Sequence, residues 1–129
     1  MTTRLFLDSG DPTRTRTLLD KRVLLAGQTT NPSLVAKNPE VQERVEADEL
    51  FTKAEINEMY HEIVVEIAGL VEESVSIEVY ADHKTTASEM LEQAYEMNDW
   101  IPNAHIKLPT IPEGLKAAEQ LVREGVRVN

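Results

Sequence analysis

The sequence contains no cysteine. That excludes a disulfide scaffold, a thiolate metal site and a cysteine nucleophile. Basic residues are scarce as well: 13 Lys and Arg stand against 23 Asp and Glu, a formal net charge of −10. Neutralising a phosphate backbone takes a basic patch, so this balance argues against nucleic acid as a partner. No apolar run reaches membrane-spanning length, and the opening MTTRLFLDSGD holds too short a run for a signal peptide. The expected setting is cytoplasmic, without a membrane partner. No G-x-G-x-x-G and no Walker pattern follows any strand-like segment, which weakens a nucleotide-binding reading. The histidines His61, His83 and His105 lie in separate segments without metal-ligand spacing, so no metal is expected.

What is present is an ordinary globular composition, 41% hydrophobic and 28% charged over 129 residues, enough for one domain with a core. Strand-like and helical patterns alternate along it. RLFLD (Arg4–Asp8) reads as a buried strand, followed by a helix with Asp11 at its N-cap and Pro12 in its first turn. A weaker strand near LLAGQTTN leads into NPSLVAKNP, a loop or short helix marked by Asn31-Pro32 and Asn38-Pro39. The longest helix is expected from about Lys53 to Glu72. It opens on the capping-box pair Thr52 and Glu55 and carries an apolar stripe of Ile56, Met59, Tyr60, Ile63, Val64, Ile67, Leu70 and Val71. SVSIEVYA (Ser74–Ala81) is the third strand, and Thr86 with Glu89 caps the next helix. AHIKL is the fourth strand. PEGLKAAEQLVREG follows as a helix from Pro112 to a C-terminal cap at Gly125. VRVN then reads as the start of a fifth strand. The expected fold is α/β with a parallel sheet, either doubly wound or a (β/α) barrel, in one domain over residues 1–129 that stops short after about four βα units.

Each strand segment holds one polar residue where an apolar one would pack better: Asp8, Asn31, Glu78, Lys107 and Asn129. In parallel α/β folds the C-terminal strand ends converge on the active site. Lys107, between Ile106 and Leu108, is the most demanding of the five. Either it sits on an edge strand with its head in water, or it is enclosed. Enclosure disfavours the charged amine, and a neutral amine is a nucleophile that forms a Schiff base with a ketone or aldehyde. Asp8 and Glu78 would then serve as general acid and base, with Asn31 and Asn129 hydrogen-bonding substrate hydroxyls. Elsewhere the expectations are structural. His61 is solvated, His83 lies in a turn and His105 shares the face of Lys107. The acidic run Glu40–Glu49 and the RTRT at Arg14–Thr17 are solvated helix faces. Met59, Met90 and Met97 fill the core, and Trp100 covers the bottom of the fourth strand.

FLDSGD (Phe6–Asp11), TTNPSL (Thr29–Leu34), SIEV (Ser76–Val79), IKLP (Ile106–Pro109) and EGLKA (Glu113–Ala117) stand in the order and spacing found in transaldolases. The chain resembles the N-terminal half of that family. The resemblance implies a (β/α)8 barrel, truncated here, that moves a dihydroxyacetone unit between sugar phosphates in the pentose phosphate pathway, with no cofactor. By motif, Lys107 resembles the Schiff-base lysine and Asp8 the acid/base at the bond cleaved. Glu78 resembles the residue acting through a water during imine formation. Asn31 and Asn129 resemble substrate-binding asparagines, and Thr30 and Thr110 join that set. The related fructose-6-phosphate aldolases carry glutamine at the position of Glu78. Many small members have threonine four residues after the lysine, where this chain has Ile111. Strands five to eight, which bring the phosphate-binding arginine and serine, are not in this sequence. The implied partners are therefore sugar phosphates and either a missing C-terminal half or a second copy in a homo-oligomer. The alternatives are a non-catalytic half-barrel that dimerises and a fructose-6-phosphate aldolase-like enzyme.

Overall fold

The computed structural model describes residues 3–47 and 51–129. In chain order the elements are β1 (Leu5–Asp8), α1 (Pro12–Asp20), β2 (Leu25–Thr29), α2 (Pro32–Val35), α3 (Pro39–Glu46), α4 (Lys53–Ala68), β3 (Ser74–Glu78), α5 (Ala87–Asn98), β4 (Ala104–Lys107) and α6 (Pro112–Arg123). The four strands make one parallel sheet in the order β1-β2-β3-β4. Parallel neighbours cannot be joined by a tight hairpin, so each step crosses over through helix. The order is sequential and never reverses. It therefore lacks the switch point of a doubly wound sheet and has the order of consecutive barrel strands. VRVN lies along β4 as expected: Val128 bridges Ile106 in parallel, and the Ile106 and Asn129 N–H groups donate to Arg127 and Ile106 carbonyls at 2.9 and 2.8 Å.

Local chemistry sets the helix starts. Asp11, Asn31 and Asn38 accept from backbone N–H groups of α1, α2 and α3, each followed by a proline whose fixed φ suits the first turn. Thr52–Glu55 and Thr86–Glu89 form complete capping boxes on α4 and α5. NPSLVAKNP thus holds one short helix and the start of another. Asp48 and Glu49 of the expected acidic surface lie outside the described residues, while Glu40, Glu43 and Glu46 are exposed on α3.

One sheet face is apolar. Val75, Ile77 and Val79 alternate along and just beyond β3, as do Ala104 and Ile106 on β4, all buried beneath Tyr60, Val64 and Ile67 of α4, Met90, Ala94 and Met97 of α5, and Ala117 and Leu121 of α6. Met59 packs at the margin of this core.

Two expected boundaries are corrected. Helix α4 ends at Ala68, not near Glu72: Gly69 caps it, and Leu70 and Val71 fold back to bond the Ile67 carbonyl, so Val71 reaches the core from outside the helix. Strand β3 ends at Glu78 rather than Ala81, because the Gln93 side-chain amide takes both backbone groups of Tyr80, at 2.8 and 2.9 Å.

The turn from β4 to α6 is tight. A Cβ at Gly114 would stand 2.0 Å from the Pro109 carbonyl oxygen, whereas one at Gly69 meets nothing nearer than 3.4 Å. Gly114→Ala is expected to lower unfolding stability by at least about 2 kcal/mol. Gly69→Ala, in an ordinary helical conformation, should be neutral or stabilise by up to about 1 kcal/mol. Urea unfolding of both variants checks this, and equal effects would contradict it.

Candidate active site

Parallel strands all end at the same edge of the sheet, and register decides which side chains meet there. Asp8 pairs with Thr29, Thr29 with Ser76, Ser76 with His105, and Glu78 with Lys107. Paired residues in a sheet point the same way, so these side chains share the face opposite the helix-covered core. Asn129 joins them, its side-chain N–H donating to Ser76 Oγ at 2.9 Å.

Lys107 is the last residue of β4, with 23% of its side chain exposed. Its Nζ lies 3.1 Å from Glu78 Oε2, the last residue of β3, and 3.5 Å from the Thr30 carbonyl oxygen just past β2. The amine is thus neither free in water nor enclosed by apolar groups. It is held between an acid and a main-chain oxygen. Asp8, exposed at the end of β1, accepts from the Thr29 hydroxyl at 2.6 Å.

The remaining expected site residues divide. Asn31 follows β2 rather than lying within it, and its Oδ1 caps α2 by accepting from Leu34 N–H at 2.8 Å. Thr30 points to the helix side and is fully buried. Its hydroxyl donates to the Ser76 carbonyl at 2.7 Å, so no ligand reaches it from the Lys107 face. Thr29, one residue earlier, is the threonine on that face. Thr110 is exposed at the centre of a three-residue turn closed by Ile111 N–H on the Pro109 carbonyl at 2.9 Å. Ile111 occupies the N-cap of α6 without a side-chain cap and packs against the core. His105 is half-buried on the Lys107 face, with Nδ1 3.3 Å from the Asn103 carbonyl. Among the described residues no group of His, Asp and Glu is placed to hold a metal ion.

Tyr60 of α4 supports the site from beneath. Its hydroxyl accepts from Glu78 N–H at 2.9 Å and lies 3.0 Å from Thr30 Oγ1. Thr30 has a single hydroxyl proton, already given to Ser76, so Tyr60 is the donor to Thr30. Burial pushes the Tyr60 hydroxyl far above the ordinary tyrosine value, which keeps it protonated for that task.

An amine beside a carboxylate at converging strand ends, with a second carboxylate on the same face, is an arrangement for carbonyl chemistry at an amine. The sequence agrees with a described family: residues 5–129 match the model for transaldolase/fructose-6-phosphate aldolase. The chain belongs to the transaldolase/fructose-6-phosphate aldolase family. It is 34% identical over 126 residues to a probable transaldolase of Moorella thermoacetica, covering 98% of this chain and 48% of that protein. A probable transaldolase of Geobacillus thermodenitrificans is 38% identical over 106 residues, 82% of this chain and 40% of the relative. One of Dehalococcoides mccartyi is 35% identical over 127 residues, 98% and 49% of the two chains. The chain spans about half the length of the curated relatives it matches.

Within this transaldolase-family chain, sequence reasoning missed Tyr60 and Thr29. Tyr60 stood among aliphatic residues in the α4 stripe, yet a buried tyrosine hydroxyl needs a partner, and that need was the available signal. His61 is not simply solvated: it stacks on Trp100 at 4.8 Å between ring centres. Trp100 packs on α4 and the core, also meeting Tyr60 edge-on at 5.7 Å.

The Tyr60 shift has a consequence for stability. A tyrosine with a raised folded-state value keeps its proton in the folded chain after the unfolded chain has lost it. Its contribution is therefore complete below about pH 10 and is lost as the pH rises through the folded-state value. Tyr80 and Tyr95 shift the same way, by burial and by donation to Glu124. Stability measured in urea from about pH 8 to 11 should fall less steeply for Tyr60→Phe than for the wild type. Parallel profiles would contradict this.

Proposed function

We propose that the chain carries the Schiff-base half of a transaldolase, with Lys107 as the nucleophile. The observation that supports this best is the placement of the Lys107 amine 3.1 Å from the Glu78 carboxylate, at adjacent strand ends on the face shared with Asp8. In this reading the Lys107 amine, as free base, attacks the ketone carbon of a ketose phosphate. Glu78 takes up and returns protons, through a water, as the carbinolamine loses its hydroxyl as water and becomes an imine. Asp8 removes the proton from the hydroxyl on the far carbon of the bond that breaks, the carbon that becomes the aldehyde. The electrons of that bond flow into the protonated imine, giving an enamine and releasing an aldehyde. Attack of the enamine on an acceptor aldehyde phosphate reverses the sequence, and hydrolysis of the new imine frees the product. Thr29 orients Asp8, and Asn31 and Asn129 bind hydroxyls of the bound three-carbon unit. Thr30 serves from the opposite side through its carbonyl, and Thr110 lines the rim of the site.

The glutamate at position 78 favours dihydroxyacetone transfer, as in the pentose phosphate pathway, over a fructose-6-phosphate aldolase reaction. The fold in this reading is part of a (β/α)8 barrel. Large apolar residues at both margins support completion by further strands, from the rest of a longer chain or from a second copy. Leu5 and Phe6 are exposed on β1 and Leu24 just before β2, and Leu115 and Val122 are exposed on α6. No helix of the described residues is long and apolar enough to cross a membrane, in keeping with a cytoplasmic sugar-phosphate enzyme.

Incubation with fructose 6-phosphate and borohydride should add a reduced dihydroxyacetone unit to the peptide containing Lys107, and Lys107→Met should remove that adduct. A folded chain that gains no adduct, or gains it at another lysine, would refute the assignment.

A further inference from the structure

The β2–β3 ladder contains an irregularity next to the lysine. In a parallel ladder the hydrogen bonds are evenly spaced, alternate residues of one strand each donating to one residue of the neighbour and accepting from the residue two further on. Thr30 N–H donates to the Ser76 carbonyl at 2.9 Å, so the next rung should carry Glu78 N–H to the Thr30 carbonyl. That rung is replaced. Glu78 N–H turns to the Tyr60 hydroxyl at 2.9 Å, and the Thr30 carbonyl meets Lys107 Nζ at 3.5 Å. We infer that Tyr60 is a positioning residue: its hydroxyl substitutes for a strand carbonyl, and so releases the Thr30 carbonyl to hold the Lys107 amine.

Three features carry this. Tyr60 is fully buried, so its hydroxyl cannot turn to water. Its proton is committed to Thr30 Oγ1, which leaves a lone pair facing Glu78 N–H. Its ring is fixed edge-on by Tyr80 at 6.2 Å and Trp100 at 5.7 Å, so removing the oxygen need not displace the ring. Without that oxygen a buried N–H would be left unsatisfied, and the carbonyl that can satisfy it is Thr30's. The ladder then closes by one rung and Lys107 keeps only Glu78. The inference deepens the reading of Lys107 as nucleophile, but its structural part holds independently of the reaction.

The test uses the isotopically labelled chain and scalar couplings measured across hydrogen bonds by NMR. The wild type should show coupling between Thr30 N and the Ser76 carbonyl carbon and none between Glu78 N and the Thr30 carbonyl carbon. Tyr60→Phe should gain the second coupling. Its Lys107 should also react about three to ten times faster with a small amine reagent, relative to exposed Lys84 and Lys116, a change equivalent to one net hydrogen bond. A Glu78–Thr30 coupling already present in the wild type overturns the inference, whatever the fate of the variant. So does a folded Tyr60→Phe with no new coupling and unchanged Lys107 reactivity. Absence of a borohydride-trapped adduct in the wild type would instead strike the proposed reaction and leave these readouts to judge Tyr60.

Discussion

One buried hydrogen-bond chain underlies the strand ends that carry Glu78 and Lys107: Glu78 N–H to the Tyr60 hydroxyl, Tyr60 to Thr30 Oγ1, and Thr30 to the Ser76 carbonyl. Every donor and acceptor in it is assigned once the single threonine proton is placed. It crosses from α4 to the ends of β2 and β3, so it ties the helix layer to the strand edge at the point where the strands diverge. The side chains of Glu78 and Lys107 leave the sheet from that point. A buried network of this kind is strongly favoured when complete and costly when broken, which suits a site that must be held to a fraction of an ångström.

A second polar network does similar work under Asp8. Thr15 of α1 donates to Gln28 Oε1 at 2.7 Å, and Gln28 Nε2 donates to the Ser9 carbonyl at 2.8 Å, both side chains fully buried. Asn38 adds a bond to the Gly10 carbonyl at 3.0 Å. These contacts fix the backbone just after Asp8, while Thr29 holds its carboxylate from the site face. The two carboxylates are therefore positioned by different helices, α1 for Asp8 and α4 for Glu78. Apolar packing on the helix side of the sheet is continuous beneath both β3 and β4, and it makes the polar face opposite possible.

Most of the architecture was legible in the sequence because it rests on local chemistry. The Asn-Pro pairs, the two capping boxes and the Gly125 terminator, with its φ of 82°, each specify backbone over a few residues. What was not legible depends on distant partners. Gln93 lies on α5, yet it ends β3 by binding Tyr80. The helical period ran through Leu70 and Val71, although Gly69 had already stopped α4, because Val71 is buried from a turn as well as it would be from a helix. Of the two adjacent threonines, alternation from Gly27 and Gln28 places Thr29 toward the site and Thr30 toward α4, an assignment that needs the strand's register against its neighbours. Of the five polar strand residues, Glu78 and Lys107 were expected inside SVSIEVYA and AHIKL, whereas β3 and β4 end on them. All five stand at or beyond strand ends, which explains how the sheet accommodates them.

The chain therefore holds the amine, two carboxylates and the framework that aims them, in about half the length of its family relatives. The central claim is that Lys107 forms the covalent bond to substrate. Its most direct test is carbon-13 NMR of the chain labelled with lysine carrying nitrogen-15 in the side chain, mixed with fructose 6-phosphate labelled at the ketone carbon, without any reductant. The account predicts an imine carbon coupled directly to one side-chain nitrogen, which disappears in Lys107→Met. A bound sugar that keeps its ketone or hemiketal resonance, or a coupling that survives Lys107→Met, would contradict it.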